Sequence, residues 1–269
     1  MSIRTRKDRY DVVVAGGRAA GAATALLLAR AGSSVLVVDP APRGSDTLST
    51  HALMRGGVLQ LHRWGLLDRI RAEGTPRIPS TTFYYGSDSV EVPIKPRDGV
   101  DALYAPRRTV LDRILVEAAE EAGAEFLHGV ALTGLLWDAS ATVRGAVLES
   151  RGDRSVQRVH ADLVVGADGR TSHVAELVGA EVRHLAPHAS ATVYGYWPDL
   201  GLEGYHWHYE VGLSSGAIPT TGNDTCVFVG MRPEGVEDPA PCHSNRMLMN
   251  EDGMAAGIAL HAAVAMRRR

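Results

Sequence analysis

The sequence has few cysteines, no long apolar run and no strong excess of one charge. Its two cysteines, Cys226 and Cys242, are too few for a disulfide framework, so we expect a reducing, cytoplasmic setting. The longest apolar helical stretch, residues 19–31, is too short to span a bilayer, and the basic N-terminus lacks the apolar core of a secretory signal. A net charge of −3 gives no indication of the basic surface that binds nucleic acid. These features predict no nucleic-acid partner and no stable membrane insertion.

Residues 10–39 have the pattern of a βαβ unit. Two short runs of β-branched residues flank a helical stretch of small and apolar residues, and the first run ends at a glycine turn. Gly16 permits the tight turn, and Gly21 permits close packing between helix and sheet. The second run ends at Asp39, 18 positions after Gly21 (39 − 21), where a carboxylate would bind ribose hydroxyls. The unit therefore predicts a dinucleotide site, with the pyrophosphate at the start of the helix.

Arg18 stands where the G-x-G-x-x-G pattern has its second glycine. That glycine normally lets the phosphates approach the backbone closely. Arg18 prevents the closest approach but offers the phosphates a guanidinium. The alternative interpretation is a plain βαβ unit with a glycine turn and no nucleotide.

The 269 residues, 45% hydrophobic and 22% charged, are enough for a core in one or two domains. Periodicity predicts βα elements first and a β-rich region later. The predicted helices lie at about 52–72, at 108–122 before Gly123, and at 172–177. The predicted strands lie at 81–85, 90–93, 124–127, 131–137, 144–150, 155–159, 161–165, 192–196, 205–211, 216–219 and 225–229. Residues 254–266 are alanine-rich and have a helical composition.

Three stretches together resemble the para-hydroxybenzoate-hydroxylase-like (group A) flavoprotein monooxygenases. The first is the βαβ unit in its variant form GGRAAG, followed by the loop SDTLSTH at residues 45–51. The second is Arg108-x-x-Leu111-x-x-x-Leu115 at the head of a helix. The third is Gly-Ala-Asp-Gly-Arg at 166–170, after a strand. Order and spacing match the family over about residues 8–232.

The resemblance implies a glutathione-reductase-like α/β fold: a three-layer, Rossmann-like FAD-binding domain with an inserted β-rich substrate domain. The two domains would alternate along the chain. The FAD-binding domain would comprise residues 1–79 and 102–184, the substrate sheet residues 80–101 and 185–232, and an atypical tail residues 233–269.

The resemblance also implies which residues bind FAD. Asp39 would hold the adenosine ribose, Arg108 would reach the pyrophosphate or ribityl chain, and Asp168 with Gly169 would lie near the pyrophosphate and ribose. The remaining cofactor-binding residues would be Gly16, Gly17, Arg18, Ala20 and Gly21. His51, which would lie in the loop near the flavin ring, is the catalytic candidate. Alternatively, His51 is only a residue at the start of a helix. No metal is expected, because His206 and His208 share a strand face without a third ligand.

The implied activity is an NAD(P)H-dependent monooxygenase. NAD(P)H would reduce FAD, O₂ would form a C4a-hydroperoxyflavin, and oxygen would pass to an aromatic or polyketide-like small molecule. One alternative is a flavin reductase resembling geranylgeranyl reductases, and another is a truncated, non-catalytic FAD-binding remnant. A plain NAD-dependent dehydrogenase fits less well, because Arg108 and residues 166–170 have no role there.

The sequence departs from the family beyond the substrate sheet. Members carry a Gly-Asp segment there, followed by a long helix, and only Asp252-Gly253 and Gly257-Ile258 weakly resemble it. We therefore expect the chain as given to turn over poorly, with uncoupled NAD(P)H oxidation. The apolar faces left bare would favour pairing with another chain, which makes a homodimer an expectation.

Overall fold

The computed structural model describes residues 3–49, 51–183, 191–210 and 213–231. The tail after residue 231, with Cys242 and the predicted helix 254–266, lies outside the described residues. Among the described residues, no helix is long and apolar enough to cross a membrane. The elements are, in chain order, β1 (Arg9–Ala15), α1 (Ala19–Arg30), β2 (Val35–Asp39), α2 (Arg55–Arg63), α3 (Leu67–Ala72), β3 (Ser80–Tyr85), β4 (Asp88–Pro93), α4 (Arg108–Glu121), β5 (Glu125–His128), β6 (Val130–Trp137), β7 (Val143–Ser150), β8 (Val156–Gly166), α5 (His173–Leu177), β9 (Ala191–Pro198), β10 (Tyr205–Glu210), β11 (Leu213–Pro219) and β12 (Asp224–Met231).

The first of two compact units comprises Met1–Thr47 and Arg108–Val182. Its six strands form one sheet in the order β5-β2-β1-β8-β7-β6. β5, β2, β1 and β8 run parallel, whereas β7 pairs antiparallel with both β8 and β6. Residues 12–15, 35–38 and 163–165 share this sheet, as the predicted Rossmann-like FAD-binding domain requires. Because parallel strands present their carboxyl ends at one edge, the loops after β1, β2, β5 and β8 gather at that edge.

Strand β8 corrects one prediction. We predicted separate strands at 155–159 and 161–165, but the structure has one continuous strand. His160 pairs with Gly145 of β7 on one side and with Arg9 of β1 on the other, so the chain changes pairing partner without a break. In the second half of β8, Val164 packs against the core, while Leu163, on the opposite face of the sheet, is 52% exposed.

The second unit comprises Leu48–Arg107 and Arg183–Arg269. Its described strands form a sheet in the order β4-β3-β10-β11-β12-β9, antiparallel except for the β3–β10 pair. Its buried core consists of Ile78, Leu103, Ala105, Tyr205, Ile218 and Cys226. The sheet draws its strands from two separate chain segments, which confirms the predicted β-rich insertion.

The region between β2 and β3 differs from the sequence interpretation. The single helix predicted at 52–72 is wrong, because Gly65 adopts a positive φ of 76° after α2 and separates it from α3. Residues 48–79, which we assigned to the first part of the FAD-binding domain, group with the second unit. Isolated bridges from Leu53 to Tyr104 and from Ile78 to Leu103 tie this segment to that unit. The functional domain boundaries themselves stay a prediction.

Candidate functional site

Two glycines build the turn between β1 and α1. Gly16 has a φ of +100°, and a Cβ there would lie 2.3 Å from the carbonyl oxygen of Ala167. A Cβ on Gly21 would lie 1.8 Å from the carbonyl oxygen of Gly16. No side chain fits at either position without moving the backbone. The glycines therefore let the helix begin directly at the edge of the sheet.

The first turn of α1 is suited to an anion. Arg18 is its N-cap residue, makes no side-chain cap hydrogen bond, and is followed by a first turn without acidic residues. The Arg18 guanidinium instead donates to the carbonyl oxygen of Asp46 at 3.4 Å. Helix dipole, N–H groups and guanidinium all favour negative charge at this point.

Asp39 is held rigidly at the carboxyl end of β2. The residue is 7% exposed. Its Oδ2 accepts a hydrogen bond from the Gly17 N–H at 2.7 Å, and its Oδ1 accepts one from the Ala41 N–H at 2.8 Å. Each carboxylate oxygen has a second lone pair, so Asp39 keeps acceptor capacity for hydroxyl groups.

Arg108 begins α4 and pairs with Asp112 one turn later. The Arg108 Nη2 donates to both carboxylate oxygens of Asp112, at 2.9 and 3.0 Å, and the Nε donates to Oδ1 at 3.2 Å. Burial raises the pKa of Asp112, and the Arg108 guanidinium opposes that rise. Asp112 was not predicted as a site residue, although its i,i+4 spacing from Arg108 is a readable signal in the sequence.

Asp168 shapes the turn after β8. It accepts hydrogen bonds from the Ser172 hydroxyl at 2.5 Å and from the Val174 N–H at 3.1 Å. Burial alone would raise the pKa of Asp168, but these hydrogen bonds hold that pKa below its usual range. Gly169 follows with a φ of +93°. The carboxylate therefore stabilises the start of α5 and orders the turn.

A cavity of about 530 Å³ brings most of the predicted cofactor residues together. Seven of the nine line it, namely Gly16, Arg18, Ala20, Asp39, Arg108, Asp168 and Gly169. Gly17 lines a second cavity of about 200 Å³, which shares Arg18 and Asp39 with the first. Gly21 is packed beneath the turn and lines neither cavity.

The second cavity contains residues that the sequence analysis did not identify. His128 is the register partner of Asp39 on the neighbouring strand and lines this cavity. Burial lowers the pKa of His128, and the Arg43 guanidinium lowers it further. Arg43 forms a two-point ion pair with Glu120 at 2.7 and 2.8 Å. The sequence gives little indication that His128 and Arg43 line a cavity with Asp39, because only the sheet order brings the ends of β2 and β5 together.

His51 belongs to the second unit, whereas the nine predicted cofactor residues belong to the first. It is 4% exposed and has a φ of 67°, unusual for a non-glycine residue. Its Nε2 is hydrogen-bonded to the Tyr196 hydroxyl. The Arg107 guanidinium stacks 3.7 Å from the centre of the Tyr196 ring, and Arg107 also pairs with Asp224 at 3.5 Å. Because α2 begins only at Arg55, His51 is not the first residue of a helix.

One face of the second sheet carries half-buried aromatic rings. They pack around the core of that unit and comprise Tyr194, Tyr196, Trp207 and Phe228. Gly216 makes room for Phe228, because a Cβ there would lie 2.5 Å from its ring. On the opposite face, His206 and His208 both stack on Tyr84, which confirms that the two histidines share a face.

The donors and acceptors around the larger cavity fit a dinucleotide. The uncapped start of α1 and two guanidinium groups, from Arg18 and Arg108, suit a pyrophosphate. The fixed carboxylate of Asp39 suits a ribose. The glycine turn brings the end of β1, the start of α1 and the turn at Ala167 close together, because it carries no Cβ at Gly16 or Gly21.

Comparisons with known proteins agree with this fit. The chain is 33% identical over 178 residues to digeranylgeranylglycerophospholipid reductase 2 of Methanothermobacter thermautotrophicus, covering 64% of this chain and 43% of the relative. It is 31% identical over 265 residues to protein FixC of Salmonella typhimurium, covering 94% and 56%. The chain spans about half the length of these curated relatives. Its fold is similar to the crystal structure of PqsL, a probable FAD-dependent monooxygenase from Pseudomonas aeruginosa, with a TM-score of 0.71, 21% identity and coverage of 83% and 61%.

The family of the chain follows from a match over most of its length. The family model described as FAD binding domain matches residues 9–233. This range includes the glycine turn, the helix that begins at Arg108 and the turn at Asp168. The resemblance to the para-hydroxybenzoate-hydroxylase-like flavoproteins is confirmed, and the chain belongs to the FAD binding domain family.

Proposed function

We propose that the chain is an NAD(P)H-dependent FAD monooxygenase that acts with O₂ on an aromatic or polyketide-like small molecule. The observation that carries the proposal is the cavity in which Arg18, Asp39, Arg108 and Asp168 meet, within a chain of the FAD binding domain family. Bound FAD would supply electron transfer and oxygen activation, which no protein side chain provides.

The proposed tasks of the cavity residues follow their chemistry. The N–H groups at the start of α1, with Arg18 and Arg108, hold the pyrophosphate. Asp39 accepts hydrogen bonds from the adenosine ribose. Gly169 and Asp168 line the wall of the cavity near the pyrophosphate and ribose. Gly17 and Ala20 bring the backbone close to the phosphates, and Gly16 and Gly21 permit the tight turn and the close packing of α1 that this approach requires.

We assign substrate binding to the aromatic face of the second sheet. Rings that are half-buried can stack against a planar or polyene substrate with offset or edge-on geometry. The His51–Tyr196 hydrogen bond would hold a proton at the Tyr196 phenol oxygen, with the Arg107 guanidinium against that ring. Such a pair can donate a hydrogen bond to, or exchange a proton with, a substrate oxygen.

The test begins with the visible spectrum of the purified protein, which should show flavin bands. Oxygen uptake, NAD(P)H oxidation, peroxide release and hydroxylated product are then followed together on a panel of phenols and polyketides. Product formation that requires O₂ supports the proposal. Flavin binding with substrate conversion that proceeds equally well without O₂ contradicts it.

A second candidate function is a flavin-dependent reductase of isoprenoid double bonds. It is favoured by the 33% identity to a digeranylgeranylglycerophospholipid reductase, whereas PqsL, at 21% identity, supports the fold alone. The discriminating assay is anaerobic. Saturation of a geranylgeranyl chain with reduced cofactor and no O₂ would select the reductase over the monooxygenase.

A further inference from the structure

Asp112 is a buried carboxylate beside the proposed cofactor site, and no role has been assigned to it. The residue is 9% exposed and lies on α4 one turn after Arg108. A carboxylate in such a place costs free energy unless hydrogen bonds and an opposite charge compensate it. Arg108 provides both, through contacts of 2.9, 3.0 and 3.2 Å.

The geometry of this pair constrains the direction of the Arg108 guanidinium. Asp112 binds the edge formed by Nε and Nη2, so Nη1 points away from the carboxylate. Arg108 lines the larger cavity, whereas Asp112 lines the smaller one. The pair thus joins a residue that lines the larger cavity to a residue that lines the smaller one.

The charge of Asp112 also interacts with the start of α1. Among the groups that favour its charged form are the Arg18 guanidinium and the backbone N–H of Ala19. The carboxylate therefore interacts electrostatically with both arginines that we assign to the pyrophosphate. A negative group beside an anionic ligand weakens binding by direct repulsion, so its presence needs an offsetting benefit.

We propose that Asp112 is a positioning residue for the cofactor, which holds the Arg108 guanidinium in the orientation that binds the pyrophosphate. The inference rests on the proposed FAD site. An arginine that is already held by a carboxylate loses less side-chain entropy when it binds phosphate. The gain from orientation exceeds the repulsion between Asp112 and the ligand.

The experiment compares Asp112→Asn with the wild-type chain in binding titrations with FAD, ADP and adenosine. Asn keeps the shape but removes the charge that holds the guanidinium. We expect FAD and ADP to bind roughly tenfold more weakly, the scale of one charge-assisted hydrogen bond, while adenosine binding is unchanged. In an Arg108→Ala background, Asp112→Asn should cause no further loss.

Glu117→Gln provides the matched control. Glu117 pairs with Arg113 on the same helix at the same i,i+4 spacing, at 3.3 Å. Equal losses in both variants, or an equal loss for adenosine, would mean that Asp112 acts only on helix stability and would overturn the proposal. Unchanged FAD binding in Asp112→Asn would also overturn it. Failure of the wild-type chain to bind FAD would instead remove the proposed function.

Arg108→Lys tests the same idea if Asp112→Asn does not fold. Lysine keeps the positive charge but cannot form the two-point contact with Asp112. We expect Arg108→Lys to weaken FAD and ADP binding about as much as Arg108→Ala. Wild-type affinity in Arg108→Lys would show that charge alone suffices and that orientation by Asp112 is irrelevant.

Discussion

The Asp39 carboxylate accepts a hydrogen bond from the Gly17 backbone N–H at 2.7 Å. The acid at the end of β2 therefore also holds the glycine turn that follows β1. The glycine turn and the carboxylate that we propose for the ribose are therefore joined by a hydrogen bond in this chain. A change at Asp39 should affect both the proposed ribose contact and the shape of the turn.

We predict that Asp39→Ala weakens FAD binding about ten- to a hundredfold. The substitution removes charge-assisted hydrogen bonds to the ribose, worth about 1.5–3 kcal/mol. Fluorescence titration of FAD measures the effect. Asp39→Asn, which keeps an acceptor for one backbone N–H, should lose less. An affinity unchanged in Asp39→Ala would mean that the adenosine binds elsewhere.

Gly21→Ala should destabilise the protein by about 1–3 kcal/mol or more, because the added Cβ would lie 1.8 Å from the Gly16 carbonyl oxygen. Urea unfolding of the apoprotein measures the loss. The control is Gly56→Ala in α2, another helical glycine, where a Cβ meets no atom within 4 Å. There alanine should stabilise by up to about 1 kcal/mol. Similar effects in the two variants would refute the close approach.

Asp168 should contribute to a loss of stability in acid. Hydrogen bonds hold its pKa below the usual range, so its contribution is present above the ordinary carboxyl pKa of about 3.9 and fades as the pH falls below it. The stability difference between wild type and Asp168→Asn should therefore be larger at pH 7 than at pH 3. Urea unfolding at both values gives the comparison. A difference independent of pH would mean that the charge of Asp168 does not matter.

Tyr196→Phe should slow turnover at least tenfold while FAD affinity stays the same, because it removes the hydroxyl bonded to His51 and leaves the ring under Arg107. Steady-state assays with a substrate identified in the panel of phenols and polyketides, together with FAD titration, separate the two effects. Tyr194→Phe, on the same strand and packed edge-on against Tyr196, is the control. Equal rates in both variants would exclude a chemical role for the Tyr196 hydroxyl.

Local sequence determined the parts of the site that depend on short spacing. Gly16, Gly21 and Asp39 belong to one βαβ unit, in which steric limits and chain direction leave few alternatives. Helix α4 (Arg108–Glu121) was equally predictable, because its apolar residues recur at helical spacing and Gly123, with a φ of +105°, follows its end. The Arg108–Asp112 contact was readable from its spacing, but its burial was not.

Tertiary structure decided the features that join distant segments. His51 and Tyr196 lie 145 positions apart, and only the packing of the second unit brings them together. Register between β2 and β5 places His128 beside Asp39, and β8 changes its pairing partner at His160 without a sequence break. Such contacts depend on strand order and register, which arise from the burial of whole sheet faces rather than from any local pattern.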